Sequence, residues 1–304
     1  MANAIEIKNR IKSINDTMKI TKAMYMISSN KLQKAKSNRQ ATEPFFYGVQ
    51  AQISRLLRHF PDIRHIYFDN REKDMQEVVK KKGFLVVTAD KGLAGAYNHN
   101  VLKTAEKLIK EAEDPYVYVI GQLGYHFFLG KDIPLKEEFL YTAQNPTMHR
   151  ARVISDRIIE DYLEEKLDAV YMVYTRMANA MEEEVVVEQL LPLKRHKYTG
   201  ELNPELIMQD SVQEEFEFLP SPEVLLEHIV PSGITGYIYG ALIESYSCEQ
   251  NARMTAMKAA TDNATKMLHD LSIQYNRVRQ ASITQEINEV VGGAKALKRK
   301  KTQK

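Results

Sequence analysis

Tryptophan is absent from this chain and cysteine occurs once, at Cys248, among 304 residues. A single cysteine excludes an internal disulfide and a cysteine-based zinc site, and it suits a reducing compartment. Cys248 sits in an alanine-rich helical stretch, where a small buried packing residue is expected rather than a nucleophile. No apolar run reaches the ~18 residues that a membrane span needs, and the N-terminus has no hydrophobic secretory core, so direct membrane insertion is not expected. Phosphate-binding motifs are missing as well. No Gly-x-Gly-x-x-Gly follows a strand, and the nearest imitation of a P-loop, Gly124 to Asp132, has one residue too many between its glycines and Asp132 where Ser or Thr should hold magnesium. The 8 histidines include no His-x-x-x-His pair that would place two ligands on one helix face. Glu182, Glu183 and Glu184 point apart and read as a solvated turn. No catalytic, cofactor-binding or metal-ligating residue is therefore expected, and neither is an enzyme.

What the chain does have is charge, unevenly placed. Lys and Arg number 42 against 40 Asp and Glu, a net +2. Residues 1–58 hold 11 of the basic and 3 of the acidic residues, so that limb carries +8 and the remainder −6. Such a limb is either a solvated helix face or a surface for an acidic partner. The basic residues lack interleaved aromatics, so nucleic acid is not an expected partner.

From Ala4 to Glu43 there is no Gly or Pro, and Ile7, Ile11, Ile14, Met18, Thr21, Tyr25, Ser28, Leu32 and Ala35 recur in alternating steps of four and three. A helix is expected to continue, kinked, through Pro44 and Gly48. At 1.5 Å per residue this limb would span roughly 80 Å. Ala241 to Val291 is equally free of Gly and Pro, with a seam reading Ala241, Ser245, Cys248, Ala252, Ala256, Ala260, Ala264, Met267, Leu271, Gln274, Val278 and Ala281. Its run of four-residue alanine steps predicts a slim, straightened stretch over 252–264. Helices this long need a partner helix, which the two ends can provide for each other.

Between them, Phe84 to Thr88, Tyr116 to Ile120 and Ala169 to Tyr174 read as strands. Val185 to Leu191 and Glu214 to Leu219 are further candidates. Helical stretches over 98–113, 122–129 and 146–165 alternate with them, which implies a parallel sheet. The expected fold class is α/β, a long antiparallel coiled coil of N- and C-terminal helices plus a central Rossmann-like domain. Its parts are an N-terminal shaft helix (1–58), the α/β domain (59–222), and a C-terminal shaft helix with a basic tail (223–304).

Three segments carry a more specific pattern: Ile20-Thr21-Lys22-Ala23-Met24, the run Asp90 to Asn98 reading DKGLAGAYN, and Tyr275 to Gly293 reading YNRVRQASITQEINEVVGG. Glu188-Gln189-Leu190-Leu191-Pro192-Leu193 is a fourth. In this order, over about Ala2 to Leu297, the chain resembles the gamma subunit of F-type ATP synthase, of the bacterial type. It departs from the family's common pattern at Ala94, where many relatives carry Cys, and at Ala96, where Gly is frequent. It has no paired-cysteine regulatory insertion, a transit peptide is not expected, and a basic tail runs from Lys298 to Lys304.

The resemblance implies a rotor shaft, a non-catalytic subunit of a proton-translocating ATP synthase at the cytoplasmic face of the bacterial membrane. Its implied partners are the ring of catalytic and non-catalytic subunits, a small rotor subunit of the epsilon type and the membrane rotor ring. It implies no cofactor. Arg279, Gln280, Thr284 and Glu286 match positions that engage a loop of the catalytic subunits. Lys19, Lys22, Lys31 and Lys34 would face acidic lobes of the same subunits, with Met24 nearby. Phe216, Glu217 and Phe218 resemble the segment reaching the membrane ring, and a half-buried edge strand is the alternative for them. Gly92 and Gly95 are expected to serve backbone geometry. A coiled-coil scaffold presenting a non-catalytic Rossmann-like binding module is the other function that the pattern allows.

Overall fold

The computed structural model describes residues 4–68, 81–131, 133, 135–139, 143–179, 182–195, 198 and 219–302. Along the chain run helix α1 (Ala4–His59), a 3-10 turn (Ile66–Phe68), strand β1 (Lys81–Val87), α2 (Tyr97–Glu111), β2 (Asp114–Ile120) and α3 (Gln122–Leu129). They are followed by β3 (Leu135–Phe139), α4 (Met148–Leu163), β4 (Ala169–Met177), β5 (Glu183–Leu191) and α5 (Pro222–Thr302). Two compact units divide these elements, one made of Ser28–Arg253 and the other of Met1–Ile27 with Met254–Lys304. The fold class is α/β with long paired helices, as the pattern implied.

In the Ser28–Arg253 unit a five-stranded sheet has the order β3-β2-β1-β4-β5. β1 pairs in parallel with β2 and β4, β2 pairs in parallel with β3, and β5 returns antiparallel along β4. Alternation along β1 sends Phe84 and Val86 to one face, against Val101, Ala105 and Ile109 of α2. It sends Leu85 and Val87 to the other, with Ile154, Ile158 and Tyr162 of α4. That second face also holds Ile53, Leu56 and Leu57 of α1 and Leu226, Val230 and Ile234 of α5. Burying each such side chain stabilises by about 1.5–3 kcal/mol, so these stretches of the long helices are bolted to the sheet. β3 is the strand that periodicity did not reveal. Residues 214–218 of the Glu214 to Leu219 candidate, and Phe216, Glu217 and Phe218 with them, lie outside the described residues, and Leu219 is exposed.

α1 continues through Pro44 and α5 through Pro231. In the Met1–Ile27 and Met254–Lys304 unit they pair antiparallel: the hydroxyls of Thr21 and Thr261 lie 2.8 Å apart, and Thr265 Oγ1 donates to Met18 Sδ at 3.6 Å. Ile7, Ile11, Ile14, Met18 and Thr21 turn inward as their spacing implied, but the next inward position is Met24, and Tyr25 is exposed. On α5 the inward positions include Ala256, Met257, Ala260, Thr261, Ala264, Leu268, Leu271, Tyr275 and Val278. Met267, Gln274 and Ala281, expected in the seam, are exposed. Ala252, Ala256 and Ala260 are half-buried and Ala264 is buried, as the run of four-residue steps over 252–264 implied, and beyond Ala264 the seam keeps alternating steps of four and three.

Candidate partner-binding surfaces

Fourteen or so residues separate Met18 from Ala4 on α1, and the same rise along α5 from Thr265 reaches Arg279. From there to Lys295 every residue of α5 is exposed. Ile283, Ile287, Val290 and Val291 lie within about 100° of one another on a helix wheel, and Val290 is 72% exposed. Arg279 and Glu286 flank this apolar stripe on one side and Thr284 on the other, while Gln280 falls between Ile287 and Val291. The Thr284 hydroxyl donates to the Gln280 carbonyl at 2.9 Å, so toward a partner it offers lone pairs only. Gln285 and Glu289 pair on the opposite face at 3.0 Å. The four residues singled out in the sequence therefore share one helical surface with a stripe that water disfavours.

Lys19, Lys22, Lys31 and Lys34 are all exposed on α1. Lys19 holds Asp16 at 3.1 Å in an open pair worth no more than about 1 kcal/mol. Lys31 and Lys34 border a crevice of about 230 Å³ with Asn38, Asn145 and Tyr246. Met24 differs from these, because it is half-buried in the helix seam and presents only part of its thioether outward.

The loop Asp90 to Asn98 is built to be still. Gly95 takes φ 55°, a conformation open to glycine at little strain. Gly92 has no such φ and a Cβ there would meet nothing, so the expected backbone role belongs to Gly95 alone. The Gly92 carbonyl is what matters: it and the Lys91 carbonyl accept from Arg253 Nη2, each at 3.0 Å. Arg253 Nη1 reaches Glu249 Oε1 at 2.6 Å, with both side chains almost wholly buried. Burial raises the Glu249 carboxyl above its usual range, and the Arg253 charge opposes that rise. This clamp was not recognised from the sequence, although the four-residue spacing of Glu249 and Arg253 is a signal for it.

Phosphate chemistry is closed off at the sheet's carboxyl edge. The first amides of α3 are already engaged: Gln122 N–H donates to Asp90 Oδ1 at 3.1 Å, and Gly124 N–H to Thr88 Oγ1 at 3.1 Å. A carboxylate thus occupies the place where a phosphate would sit. Among the described residues no group of three or more His, Cys, Asp or Glu side chains converges as a metal site. Cys248 is buried against Ala89, Ala94 and Tyr97, and burial pushes its thiol well up, which makes it a packing residue. No helix among the described residues is long and apolar enough to cross a membrane.

A sequence model of the family described as ATP synthase matches residues 3–297. The ATP synthase gamma chain of Ruminiclostridium cellulolyticum is 42% identical over 299 residues, 98% of this chain and 100% of that one. The ATP synthase gamma chain, sodium ion specific, of Acetobacterium woodii is 37% identical over 304 residues, 97% and 99% of the two. Among solved structures, a chain of the central stalk/c-ring of the Tetrahymena thermophila mitochondrial ATP synthase aligns with TM-score 0.59 at 22% identity, covering 79% of this chain and 99% of that one.

Proposed function

This chain belongs to the ATP synthase gamma-chain family, and from that premise we propose that it is the central rotor shaft of an F-type ATP synthase, turning ion flow at the membrane into conformational change at the catalytic subunits. The observation that carries the reading is α5 beyond Val278: a helix with an apolar stripe and no covering among the described residues is a surface made to run inside a sleeve of other subunits. The alternating ring of catalytic and non-catalytic subunits is that sleeve.

The chain does no bond chemistry in this reading; it changes which state each catalytic site prefers. Moving a site from 1:99 to 99:1 takes about 5.5 kcal/mol of differential interaction. Hydrogen bonds to charged groups contribute about 1.5–3 kcal/mol each, so a few contacts made in one orientation and broken in the next are enough. Arg279 offers a planar fork for a carboxylate, Gln280 both donates and accepts, and Glu286 adds a charge beside Arg279. The lysines at 19, 22, 31 and 34 supply the positive field toward the acidic lobes of the ring, where approach and alignment depend on charge more than on area. Met24 gives that contact a pliable edge.

The three-part division stays as proposed from the sequence: 1–58 and 223–304 form the shaft, and 59–222 is the module that meets the epsilon-type subunit and the membrane ring, with Phe216, Glu217 and Phe218 at the ring. The complex sits on the cytoplasmic face of a bacterial membrane, and the chain is peripheral to it. The coupled ion is read as the proton. Ion choice is made in the ring, so proton and sodium dependence of ATP hydrolysis by the membrane-bound complex tests that part separately. The main test is assembly. Mixing this chain with its cognate ring subunits should give a complex with one copy per ring and much higher ATPase activity than the subunits alone. A chain that stays a separate homo-oligomer and leaves the activity unchanged refutes the reading.

A further inference from the structure

Within the Ser28–Arg253 unit, the crevice of about 230 Å³ beside Lys31 and Lys34 is walled by three elements: α1, the loop before α4, and α5. Its floor is apolar, made by the buried Ala35, Pro146 and Ile243. Its mouth is polar. Lys31, Lys34 and Asn38 follow one another at three and four residues, so they share one face of α1 and border the crevice together. Gln144 and Asn145 meet them from the loop, and Tyr246 from α5.

Every polar side chain at this mouth can donate a hydrogen bond, and two of them are cations. Among the described residues neither ammonium has an ion-pair partner, and no carboxylate lines the crevice. Lys31 does feel the Glu249 carboxylate, but Arg253 Nη1 already holds that group at 2.6 Å. The loop's acceptors are engaged too: the carbonyls of Gln144 and Asn145 accept from Arg150 Nη1 at 2.5 and 3.4 Å, and the side-chain amides remain to be used. Asn145 takes φ 56°, a left-handed conformation that asparagine tolerates. Burial, and then Glu249, raise the Tyr246 hydroxyl, which therefore keeps a proton to donate. The field in the crevice is positive.

We propose that this crevice binds a small oxyanion with two or more negative charges, of the diphosphate type, its oxygens accepting from Lys31, Lys34, Asn145 and Tyr246. Hydrogen bonds between an ammonium and an oxyanion are the strong ones, and two ammoniums match two charges. The space equals about seven waters at ~30 Å³ each, more than one phosphate group fills, so a diphosphate should sit there better than phosphate. A cation would meet like charge, and a neutral molecule would leave both ammoniums unused. The site rests on the crevice alone and holds whether or not Lys31 and Lys34 also meet the acidic lobes of a ring. An anion seated there would compete with such lobes.

Calorimetry on the full chain in magnesium-free buffer tests it with sodium diphosphate, sodium phosphate and ADP. Diphosphate should bind with a Kd below about 1 mM, and phosphate about tenfold more weakly. ADP carries the same diphosphate on a nucleoside and tells the two sources apart: tighter binding than diphosphate assigns the site to a nucleotide, weaker binding to the free oxyanion. Lys34→Gln should weaken diphosphate about tenfold. Tyr246→Phe and Asn145→Gly, where glycine accepts the φ, should each weaken it about threefold, with helix content unchanged. If one of these variants loses helix content, the other two decide. Lys12→Gln removes the same charge from an exposed position on α1 outside the crevice and should leave the affinity within about twofold of the parent. No diphosphate binding up to about 10 mM, equal weakening by Lys12→Gln and Lys34→Gln, or binding that none of the three crevice variants changes overturns the proposal.

Discussion

Replacing Arg253 by methionine keeps most of the side chain's apolar length and removes its guanidinium. Three things then lose their partner: Glu249, which is 4% exposed, and the carbonyls of Lys91 and Gly92. Breaking a buried ion pair from one side costs about 3–5 kcal/mol, because the remaining charge has no water to return to. For a unit of this size each kcal/mol moves Tm by about 2–4 °C, so the variant should melt about 6–20 °C lower. The penalty should also depend on pH. The Glu249 carboxyl already titrates above its unfolded value through burial, and losing Arg253 removes the charge that holds the rise down, so it rises further. A group whose folded pKa is raised contributes stability that is complete below its unfolded pKa and lost as pH rises through the folded one. In the variant that loss runs on to higher pH, so the gap between variant and parent should be small near pH 4 and grow toward pH 8. What remains at low pH is the loss of the two carbonyl contacts, about 1–3 kcal/mol. Urea unfolding of the full chain at several pH values, followed by near-UV circular dichroism of the tyrosines, reads both quantities; Tyr97, which feels the Glu249 charge, is a reporter within the cluster. Arg253→Lys, which keeps the charge without the fork, should fall between the two. A methionine variant within about 1 kcal/mol of the parent, or a gap independent of pH, would refute the clamp.

Three further outcomes follow from the same geometry. Arg279→Ala combined with Gln280→Ala should lower ATPase activity or assembly of the reconstituted complex by tenfold or more, about 1.4 kcal/mol or above, while helix content of the isolated chain stays as it is; unchanged activity removes these residues from the interface. Met24→Ala should destabilise the helix pair by about 1–2 kcal/mol and Tyr25→Ala by less than about 0.5, read as urea midpoints of the two variants, because the seam takes Met24 and leaves Tyr25 outside. Gly236→Ala should cost about 1–3 kcal/mol, since its Cβ would meet the Phe46 ring, and adding Phe46→Leu should recover part of the thermal stability.

The two long helices were legible because periodic burial is a local property. Whatever partner arrives, a helix with apolar residues at 7, 11, 14 and 18 must turn that face inward. β1, β2 and β4 were equally plain, since strands covered on both faces read as unbroken apolar runs. β3 was hidden because it is an edge strand, LKEEF, with three charges in five residues, and its pairing with β2 is decided by backbone hydrogen bonds that leave little trace in composition. The resemblance and the exposure of α5 beyond Val278 together mark the surface proposed for partners. The choice between Met24 and Tyr25, or Leu268 and Met267, was out of reach: neighbours on a helix differ by about 100°, and only the facing helix decides which of them is covered. Long-range contacts were beyond reach for a similar reason. Glu249 and Arg253 advertise their spacing, yet that the pair is buried and grips the carbonyls of residues 91 and 92 depends on where α5 lies on the sheet. The same holds for a crevice assembled from α1, the loop before α4 and α5. In sum, local chemistry determined which segments become helix or strand and which face of each avoids water, because those follow from neighbours within one or two turns. Packing alone decided which distant groups meet, because a buried charge or a gap exists only once separate elements have closed around it.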